Sequence, residues 1–338
     1  MRILVTGGAG FIGSNFVHYI LRKHPSYEIV VLDKLTYAGR RENLEDIKDR
    51  ITFIKGDITK RTDVEKAATN CDRIVNFAAE THVDRSIIEA GTFVQTDVIG
   101  TYTLLELARE LGMSKFVQVS TDEVHGHIQK GSFNEDDALN PRNPYAASKA
   151  GAELLCNAYF QTYGLPVTAT RGTNNYGAYQ HPEKFIAKTI IYAILNRHVP
   201  VYGSGKNVRD WLYVEDHCAA LDMVLHKGKN GETYNIASKQ EMENVEVVKT
   251  VLKIAGKPER LIEFVKDRPG HDFRYSLDTR KIENELGWKA EVKFQEGIRK
   301  TIAWYTQNER WWKSILDKEQ IDFYQKFSRL ESYRIKSL

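Results

Sequence analysis

The chain of 338 residues contains little that would tie it to a membrane, a nucleic acid or a metal ion. No apolar run reaches the ~18–20 residues of a membrane span, and the sequence opens directly on a strand pattern without a signal segment. The 48 basic and 45 acidic residues are interspersed, and the net charge of +3 does not favour nucleic acid or a membrane surface. Cys71, Cys156 and Cys218 lie far apart, are odd in number and lack metal-ligand spacing. We therefore predict reduced thiols, a cytoplasmic location and no metal site.

The first 23 residues have the pattern of a strand, a glycine turn and a helix. A strand pattern precedes Gly7, Gly10 and Gly13, and an amphipathic stretch follows to about Lys23. This spacing is close to the dinucleotide fingerprint, in which glycines allow a tight turn and a close approach of the backbone to the pyrophosphate. The helix N-terminus would then face the phosphates. The segment predicts a dinucleotide site.

A carboxylate lies where that site would bind the ribose. A second strand pattern over 28–32 ends at Asp33, 20 residues after Gly13. A carboxylate at this position accepts hydrogen bonds from both ribose hydroxyls and repels a 2′-phosphate, which favours NAD over NADP. Lys34 and the nearby Arg40 and Arg41 weaken that preference. The predicted cofactor is NAD.

Strand and helix patterns continue to alternate along the chain. Strands are predicted at 51–54, 73–77, 116–119 and 167–170, and helices at 92–111 and from 144 to about 163. Alternation of this kind implies an α/β fold built on a doubly wound parallel sheet of the Rossmann type. The loop at Asp57 could contact the adenine end of the cofactor. Ala78 and Ala79 are small and would let the cofactor lie close to the end of their strand. Segments 211–213 and 233–236 are predicted to return to the sheet.

Two sets of polar residues follow this sheet pattern. Thr121, Asp122 and Glu123 come at the end of the 116–119 strand, the edge where open α/β sheets bind ligands. Tyr145 and Lys149 are i and i+4 on a helix, so both project from one face. An ammonium lowers the pKa of a nearby phenol, which could then take a proton from an alcohol. The Tyr/Lys pair alone is equally typical of a solvated helix; the carboxylates and the glycine turn favour catalysis.

Together, the glycine turn and Tyr145-x-x-x-Lys149 resemble the extended short-chain dehydrogenase/reductase superfamily. Six further segments are more specific, namely AAETHVDRS at 78–86, STDEV at 120–124, NNYG at 174–177, PEK at 182–184, VRDW at 208–211 and DRPGHD at 267–272. With these segments the chain closely resembles, from Met1 to about Phe327, the dTDP-glucose 4,6-dehydratase family within that superfamily.

The resemblance implies an NAD-dependent hydro-lyase that acts on dTDP-glucose in deoxysugar biosynthesis, for example that of dTDP-rhamnose. Tyr145, assisted by Lys149, would take the proton of the sugar 4-hydroxyl while hydride leaves C4. Glu123 would remove the C5 proton, Asp122 would protonate the departing 6-hydroxyl, and the hydride would return to C6. Thr121 would hydrogen-bond the 4-oxygen.

The resemblance also implies binding contacts. Those expected for the cofactor are Gly7, Gly10, Phe11, Ile12, Gly13, Asp33, Lys34, Leu35, Thr36, Asp57, Ile58, Phe77, Ala78, Ala79, Thr81, Thr96, Tyr145, Lys149 and Asn175. Those expected for the substrate are Thr81, Thr121, Asn174, Lys184, Phe185, Pro200, Tyr202, Arg209, Asn244, Arg268 and His271. Asn244 would equally suit a helix N-cap, and Arg268 a surface ion pair.

The chain is predicted to form two domains. An NAD-binding domain would comprise 1–171 with returning segments at about 208–237. A smaller, discontinuous α/β sugar-nucleotide-binding domain would comprise 172–207 and 238–327, followed by a polar tail at 328–338. The aromatic residues near the C-terminus are expected in a core or an interface. The resemblance implies a homodimer formed through helices at roughly 92–111 and 144–163.

Four positions depart from the family pattern. His125 replaces an expected tyrosine, Asp97 an asparagine, Gly172 a cysteine and Ala178 a proline. His125 would either perturb the pKa of the carboxylates or fill a wall of the site.

Two other functions are compatible with the pattern. One is a related dehydratase or a 4-epimerase that uses a UDP- or GDP-sugar. The other is a non-catalytic NAD-binding sensor or scaffold, which would not need the carboxylates or the Tyr/Lys pair.

Overall fold

Strands and helices alternate along the part of the chain that this computed structural model describes, residues 1–267 and 272–316. The strands in chain order are β1 (Arg2–Thr6), β2 (Glu28–Asp33), β3 (Ile51–Lys55), β4 (Arg73–Asn76), β5 (Lys115–Thr121), β6 (Val167–Gly172), β7 (Asn174–Tyr176), β8 (Val199–Tyr202), β9 (Val208–Tyr213), β10 (Thr233–Ile236), β11 (Glu241–Glu243) and β12 (Ile262–Val265). The α-helices are α1 (Phe11–Lys23), α2 (Arg61–Ala68), α3 (Val83–Ile88), α4 (Ala90–Phe93), α5 (Gly100–Glu110), α6 (Pro144–Tyr163), α7 (Phe185–Ile194), α8 (Val214–Lys227), α9 (Asn244–Ile254), α10 (Arg280–Leu286) and α11 (Phe294–Gln307).

The main sheet has seven parallel strands in the order β10-β6-β5-β4-β1-β2-β3. The chain moves outward from β1 to β2 and β3, and then crosses back to β4 on the other side of β1. Ligands of open α/β sheets bind at the carboxyl ends of the strands where the order reverses. The predicted doubly wound parallel sheet is confirmed, and its reversal point lies between β1 and β4.

Both faces of this sheet are covered because its strands are apolar on both sides. Side chains of β1 alternate: Ile3 and Val5 pack with α1 and α8, whereas Leu4 packs with α2, α5 and α6. The whole of β5 is buried. In the described ranges, no helix combines the length and apolarity needed to cross a membrane.

A second group of elements covers the carboxyl edge of the sheet. It contains a three-stranded sheet, β11-β9-β7, and the two-stranded pair β12-β8. The prediction that 211–213 returns to the main sheet is wrong, because Trp211 pairs with Asn174 of β7, which lies beyond the end of β6. The prediction for 233–236 is confirmed, since β10 pairs with β6. The proposed boundaries of the two domains stay a prediction.

The late aromatic residues form the core of this second group. Tyr305 and Trp312 are fully buried and pack with Tyr176, Trp211 and Phe294. Their predicted position in a core is confirmed. The tail at 328–338 lies outside the described residues, as do Phe323, Tyr324 and Phe327.

The helix that carries the Tyr/Lys pair has clear start and stop signals. The Asn143 side chain accepts a hydrogen bond from the Ala146 N–H, Pro144 occupies the first turn, and Gly164 ends the helix in a left-handed conformation (φ +68°). The predicted span of 144–163 is confirmed for α6. The predicted helix at 92–111 is confirmed as a continuous helical stretch, in which a π-helical segment, Val94–Ile99, lies between α4 and α5.

A buried ion pair connects β6 to α6. The Arg171 guanidinium donates to Glu153 Oε1 from Nε at 2.9 Å and from Nη2 at 2.5 Å. Its Nη1 also faces His125 Nε2 and the Glu135 carbonyl oxygen, both at 2.9 Å. Removing one member of a buried pair leaves the other charge uncompensated.

We therefore expect Arg171→Met to lower the free energy of unfolding by about 3–5 kcal/mol, measured by urea denaturation. The matched control is Arg22→Met, which breaks the exposed pair between Arg22 and Glu215 and should cost at most about 1 kcal/mol. Equal losses in the two variants would contradict a structural role for the buried pair.

Candidate active site

The turn between β1 and α1 forms a backbone cradle that only glycine can build. Gly7 has φ +67°, and a Cβ there would lie 2.6 Å from the Ala78 nitrogen. A Cβ on Gly13 would lie 2.3 Å from the Gly7 carbonyl oxygen. Gly10 precedes α1 without a side-chain cap, so the first N–H groups of the helix point toward a ligand. The turn fits the pyrophosphate of a dinucleotide.

Asp33 lies at the end of β2 beside this turn. Its carboxylate accepts hydrogen bonds from the Ala9 N–H at 2.9 Å and the Leu35 N–H at 2.8 Å. Burial raises the pKa of Asp33, and the two backbone donors oppose that effect. Each oxygen retains a lone pair for a ribose hydroxyl. The Asp33 carboxylate is thus held in a position from which it could bind the ribose of the predicted NAD.

The three nearby cations that weakened the NAD prediction are engaged elsewhere. Lys34 forms an ion pair with Asp57 at 2.8 Å. Arg40 donates to Glu42 and Ser314, and Arg41 lies over the ring of Phe53. None of these three contacts is to Asp33, and each cation has another partner.

The carboxyl pair lies where β5 ends. The Thr121 hydroxyl accepts from the Glu123 N–H and so caps a short 3₁₀ turn that contains Asp122 and Glu123. Asn143, the N-cap of α6, donates its amide to Glu123 at 3.1 Å. This bond ties the carboxyl pair to the helix that carries Tyr145 and Lys149.

The two adjacent carboxyl groups have different surroundings. Burial, followed by the negative charge of Glu123, raises the pKa of Asp122 to about 8. Asp122 Oδ1 accepts from the Thr121 hydroxyl at 3.1 Å, whereas Oδ2 is buried without a hydrogen-bond partner among the described residues. At pH 7 Asp122 is therefore a neutral acid with a proton available.

The Tyr/Lys pair is present, but its electrostatics differ from the prediction. Burial and the carboxylates of Glu123 and Asp97 raise the pKa of Tyr145 well above its usual value. Burial lowers the pKa of Lys149, whose ammonium donates to the Val119 carbonyl oxygen at 2.7 Å. The prediction of a lowered pKa for Tyr145 is wrong for the chain alone, because burial and the carboxylates raise it.

Most of the predicted residues line one cleft of about 290 Å³. Those predicted for the cofactor that line it are Gly7, Gly10, Phe11, Ile12, Gly13, Asp33, Lys34, Thr36, Asp57, Ile58, Phe77, Ala78, Ala79, Thr81, Thr96, Tyr145, Lys149 and Asn175. Those predicted for catalysis or substrate that line it are Thr81, Thr121, Asp122, Glu123, Tyr145, Lys149, Asn174 and Lys184. Leu35 does not line the cleft and contributes its N–H to Asp33.

The other predicted substrate residues lie in the second group of elements. Phe185 begins α7 and stacks on Trp211, and Pro200 and Tyr202 belong to β8. Arg209 is buried over the ring of Tyr275 and close enough to Asp122 to affect its pKa. Asn244 is the first residue of α9, whose N-cap is Glu243, so Asn244 is not a cap. Arg268 and His271 lie outside the described residues.

Sequence reasoning missed several residues that line the cleft, namely Tyr37, Gln180, His181 and His217. Burial lowers the pKa of His217 to about 3, so its ring is neutral. Because Asn175 donates its amide to the Thr173 carbonyl oxygen, its Oδ1 accepts from His217 Nδ1 at 2.9 Å. Nε2 of His217 is then a buried acceptor. No spacing in the sequence brings position 217 to Asn175.

The departures from the family pattern have local explanations. His125 donates from Nδ1 to the Ala138 carbonyl oxygen, accepts from Arg171 at Nε2 and stacks on Phe133. It therefore fills a wall, and burial lowers its pKa to about 4. A Cβ on Gly172 would lie 2.8 Å from the His217 ring, so a side chain does not fit there. The Ala178 carbonyl oxygen accepts from Asn15 at 3.0 Å, a bond that proline would also allow, so nothing in the structure explains alanine at this position.

Asp97 is the departure that acts electrostatically on Tyr145 and Lys149. It is buried in the π-helical segment, accepts from Ser148 at 2.6 Å and accepts from the Glu80 N–H at 2.9 Å. Burial raises its pKa to about 6, and Lys149 opposes that effect. Asp97 is thus largely ionised at pH 7 and offsets the charge of Lys149.

The fold and the site define a dinucleotide-dependent enzyme of the short-chain dehydrogenase/reductase type whose cleft also contains two adjacent carboxyl groups. A model of the GDP-mannose 4,6 dehydratase family matches residues 4–301, and the chain belongs to this family.

The relatives agree with that class. The Low-salt glycan biosynthesis protein Agl12 of Haloferax volcanii is 52% identical over 307 residues, which cover 90% of this chain and 98% of the relative. A dTDP-glucose 4,6-dehydratase of Streptomyces niveus is 47% identical and covers 95% and 97% of the two chains. A crystal structure of DesIV, the dTDP-glucose 4,6-dehydratase of Streptomyces venezuelae with NAD and TYD bound, has a TM-score of 0.91 and 47% identity, and covers 93% of this chain and 100% of that chain. The predicted resemblance is confirmed.

The cradle generates a prediction for Gly13→Ala. A Cβ there would displace the Gly7 carbonyl and the turn that faces the pyrophosphate. We expect NAD affinity to fall at least about tenfold, which corresponds to about 1.4 kcal/mol. Isothermal titration with NAD⁺ measures the change.

The matched control for that variant is Gly91→Ala in α4, where a Cβ would have no neighbour within 4 Å. The control should bind NAD⁺ as the unmodified protein does. Unchanged affinity in Gly13→Ala would contradict the role given to the cradle.

Proposed function

We propose that this protein is a dTDP-glucose 4,6-dehydratase, which converts dTDP-glucose to dTDP-4-keto-6-deoxyglucose and water with NAD as its cofactor. The observation that carries the proposal is the carboxyl pair at the end of β5. Asp122 is kept neutral by burial and by its charged neighbour Glu123, and both line the cleft that holds Tyr145. Relatives named for this activity match more than 90% of the chain.

The residues divide the chemistry into an oxidation at C4 and an elimination across C5 and C6. Tyr145 takes the proton of the sugar 4-hydroxyl, and Thr121 holds the 4-oxygen. The glycine turn and Asp33 would hold NAD⁺, which would supply the acceptor for the C4 hydride and the donor for its return to C6. The positive charge of the oxidised nicotinamide ring would favour the tyrosine phenolate. The resulting 4-ketone acidifies the hydrogen at C5, which makes an elimination from C5 and C6 accessible to a carboxylate base.

Glu123 and Asp122 perform that elimination. Glu123 removes the C5 proton as general base, and the neutral Asp122 gives its proton to the departing 6-hydroxyl as general acid. The protonated state of Asp122 follows from its burial beside a charged neighbour, Glu123. Loss of the 6-hydroxyl as water, rather than hydroxide, requires this donated proton.

The competing functions fit the site less well. A 4-epimerase needs the Tyr/Lys pair but no acid–base pair for elimination, and a non-catalytic sensor needs neither. The matching family model is described by GDP-mannose, whereas the relatives at 44–47% identity are named for dTDP-glucose. This likeness over nearly the whole chain favours the dTDP-sugar.

Three accompanying expectations remain proposals. A homodimer is supported by exposed apolar side chains on the helices around α5 and α6, namely Ile87, Ile88, Val94, Ile99, Tyr102, Leu154 and Tyr163. A cytoplasmic location is supported by three unpaired thiols. A role in deoxysugar biosynthesis, such as that of dTDP-rhamnose, follows from the proposed product.

The proposed function is tested by incubating the protein with dTDP-glucose in deuterated water, followed by mass spectrometry. We expect loss of one water and gain of one deuterium at C5, because the enolised C5 is reprotonated from solvent. If the protein leaves dTDP-glucose unchanged but converts a UDP- or GDP-sugar, the proposed nucleotide is wrong. Epimerised sugar without deuterium would overturn the elimination.

Glu123→Gln is the matched variant for this experiment. It is expected to oxidise C4, seen as absorbance of the reduced nicotinamide in a single turnover, and to incorporate no deuterium at C5. Full dehydratase activity in this variant would refute Glu123 as the base.

Asp122 generates a prediction for the pH dependence. Its pKa is raised to about 8, so the acid form is present below pH 8 and is lost above it. We expect the elimination rate to fall about tenfold per pH unit above pH 8, while C4 oxidation does not fall. Reduced nicotinamide should therefore accumulate at pH 9.

Rapid-mixing absorbance at pH 7 to 9 measures this accumulation. Asp122→Asn, which has no acidic proton to lose, should eliminate slowly at every pH. If the elimination rate of Asp122→Asn also falls above pH 8, the group that titrates is not Asp122.

A further inference from the structure

Two histidines and an aspartate converge on the face of the main sheet that α1 and α8 cover. His24 follows the last turn of α1, and Asp222 and His226 lie one turn apart on α8. His24 Nε2 is 2.9 Å from Asp222 Oδ1, and His226 Nδ1 is 3.0 Å from the same oxygen. Their three potential ligand atoms all lie within 4.8 Å of one another.

This spacing is close to that of a bound transition metal. Zn–N and Zn–O bonds of about 2.0–2.2 Å in a tetrahedron place ligand atoms about 3.3–3.5 Å apart. The two N···O distances are slightly shorter than this, so a small outward rotation of the rings would admit an ion. The aspartate need not move far, because both nitrogens already face one of its oxygens.

His226 Nδ1 also lies 2.8 Å from the backbone carbonyl oxygen of Asp222. A carbonyl oxygen only accepts, so the ring proton is on Nδ1 and must move to Nε2 before a metal can bind. The Tyr27 hydroxyl is 2.9 Å from His226 Nε2, and its ring stacks on His24 with centroids 4.6 Å apart. If Nδ1 of His226 binds a metal, Nε2 carries the proton and donates it to Tyr27. Ligating histidines usually have such a partner on the second nitrogen, because it orients the ring.

We propose that His24, Asp222 and His226 bind one Zn²⁺ ion per chain, with water completing a tetrahedral site. Two imidazoles and a carboxylate are borderline ligands that suit zinc. The side chain of Asp222 is only 10% exposed and those of both histidines are 25% exposed. The carboxylate is thus partly desolvated, while the imidazoles leave room for entry of an ion and a water.

Zinc bound at this site would stabilise the fold and would take no part in catalysis. Among the described residues, the three ligands are not part of the lining of the cleft that contains Tyr145. They join α1, which begins at the glycine turn, to α8, and both helices contribute to one hydrophobic core. An ion would tie together segments 198 residues apart in sequence. The prediction of no metal site considered only cysteine spacing and did not detect this cluster.

Tag-free protein, stripped with a chelator and dialysed against ZnCl₂, tests the proposal. We expect one zinc per chain by elemental analysis, a rise in Tm of about 2–5 °C, and visible d–d absorption of tetrahedral geometry when Co²⁺ replaces zinc. These readouts do not depend on the dehydratase activity, so they stand even if the proposed function fails.

His24→Gln and His226→Gln are the matched variants, and exposed His198→Gln is the control. Each ligand variant should lose the bound zinc and the rise in Tm, while the control retains both. In the absence of zinc, all variants should melt close to the unmodified protein because these histidines are partly exposed. Absence of bound zinc, or equal binding in the ligand variants, would overturn the proposal.

Discussion

Burial of the carboxyl end of β5 is the constraint on which the rest of the site depends. β5 is covered on both faces, so the residues that follow it, Asp122 and Glu123, enter a region with little water. Two adjacent carboxylates cannot both stay charged there at low cost. The pKa of Asp122 is raised to about 8 in consequence. The same burial that stabilises the sheet thus creates the neutral acid that the proposed elimination requires.

The cofactor cradle depends on the close approach of two backbone turns. Gly7 and Ala78 belong to turns after neighbouring strands, β1 and β4, and the order of the sheet reverses between these strands. A crevice opens at that reversal, and the backbone N–H groups at the start of α1 face it. Asp33 is held by two N–H groups at the end of the next strand. The glycine turn, Asp33 and the carboxyl pair therefore all lie along the carboxyl edge of the main sheet.

Local sequence patterns predicted most of the main sheet because its strands are short, apolar and separated by amphipathic helices. They failed for β9, since an apolar strand does not reveal which neighbour it will pair with, and its partner Asn174 belongs to a strand outside the sheet. The glycine turn, Asp33 and the carboxyl pair could be found because each lies next to a strand end in sequence. His217 could not, because only the packing of α8 brings it to Asn175.

The pKa of Tyr145 shows why a pair of residues cannot be interpreted without its surroundings. Spacing on a helix places Lys149 on the same face, and from that alone a lowered pKa follows. The folded chain adds burial and the negative charges of Glu123 and Asp97, which raise the pKa instead. Asp97 also offsets the charge of Lys149, so the chain alone supplies little net positive charge at the phenol. A positive charge brought close to the phenol, such as that of an oxidised nicotinamide ring, would act against this rise in the pKa of Tyr145.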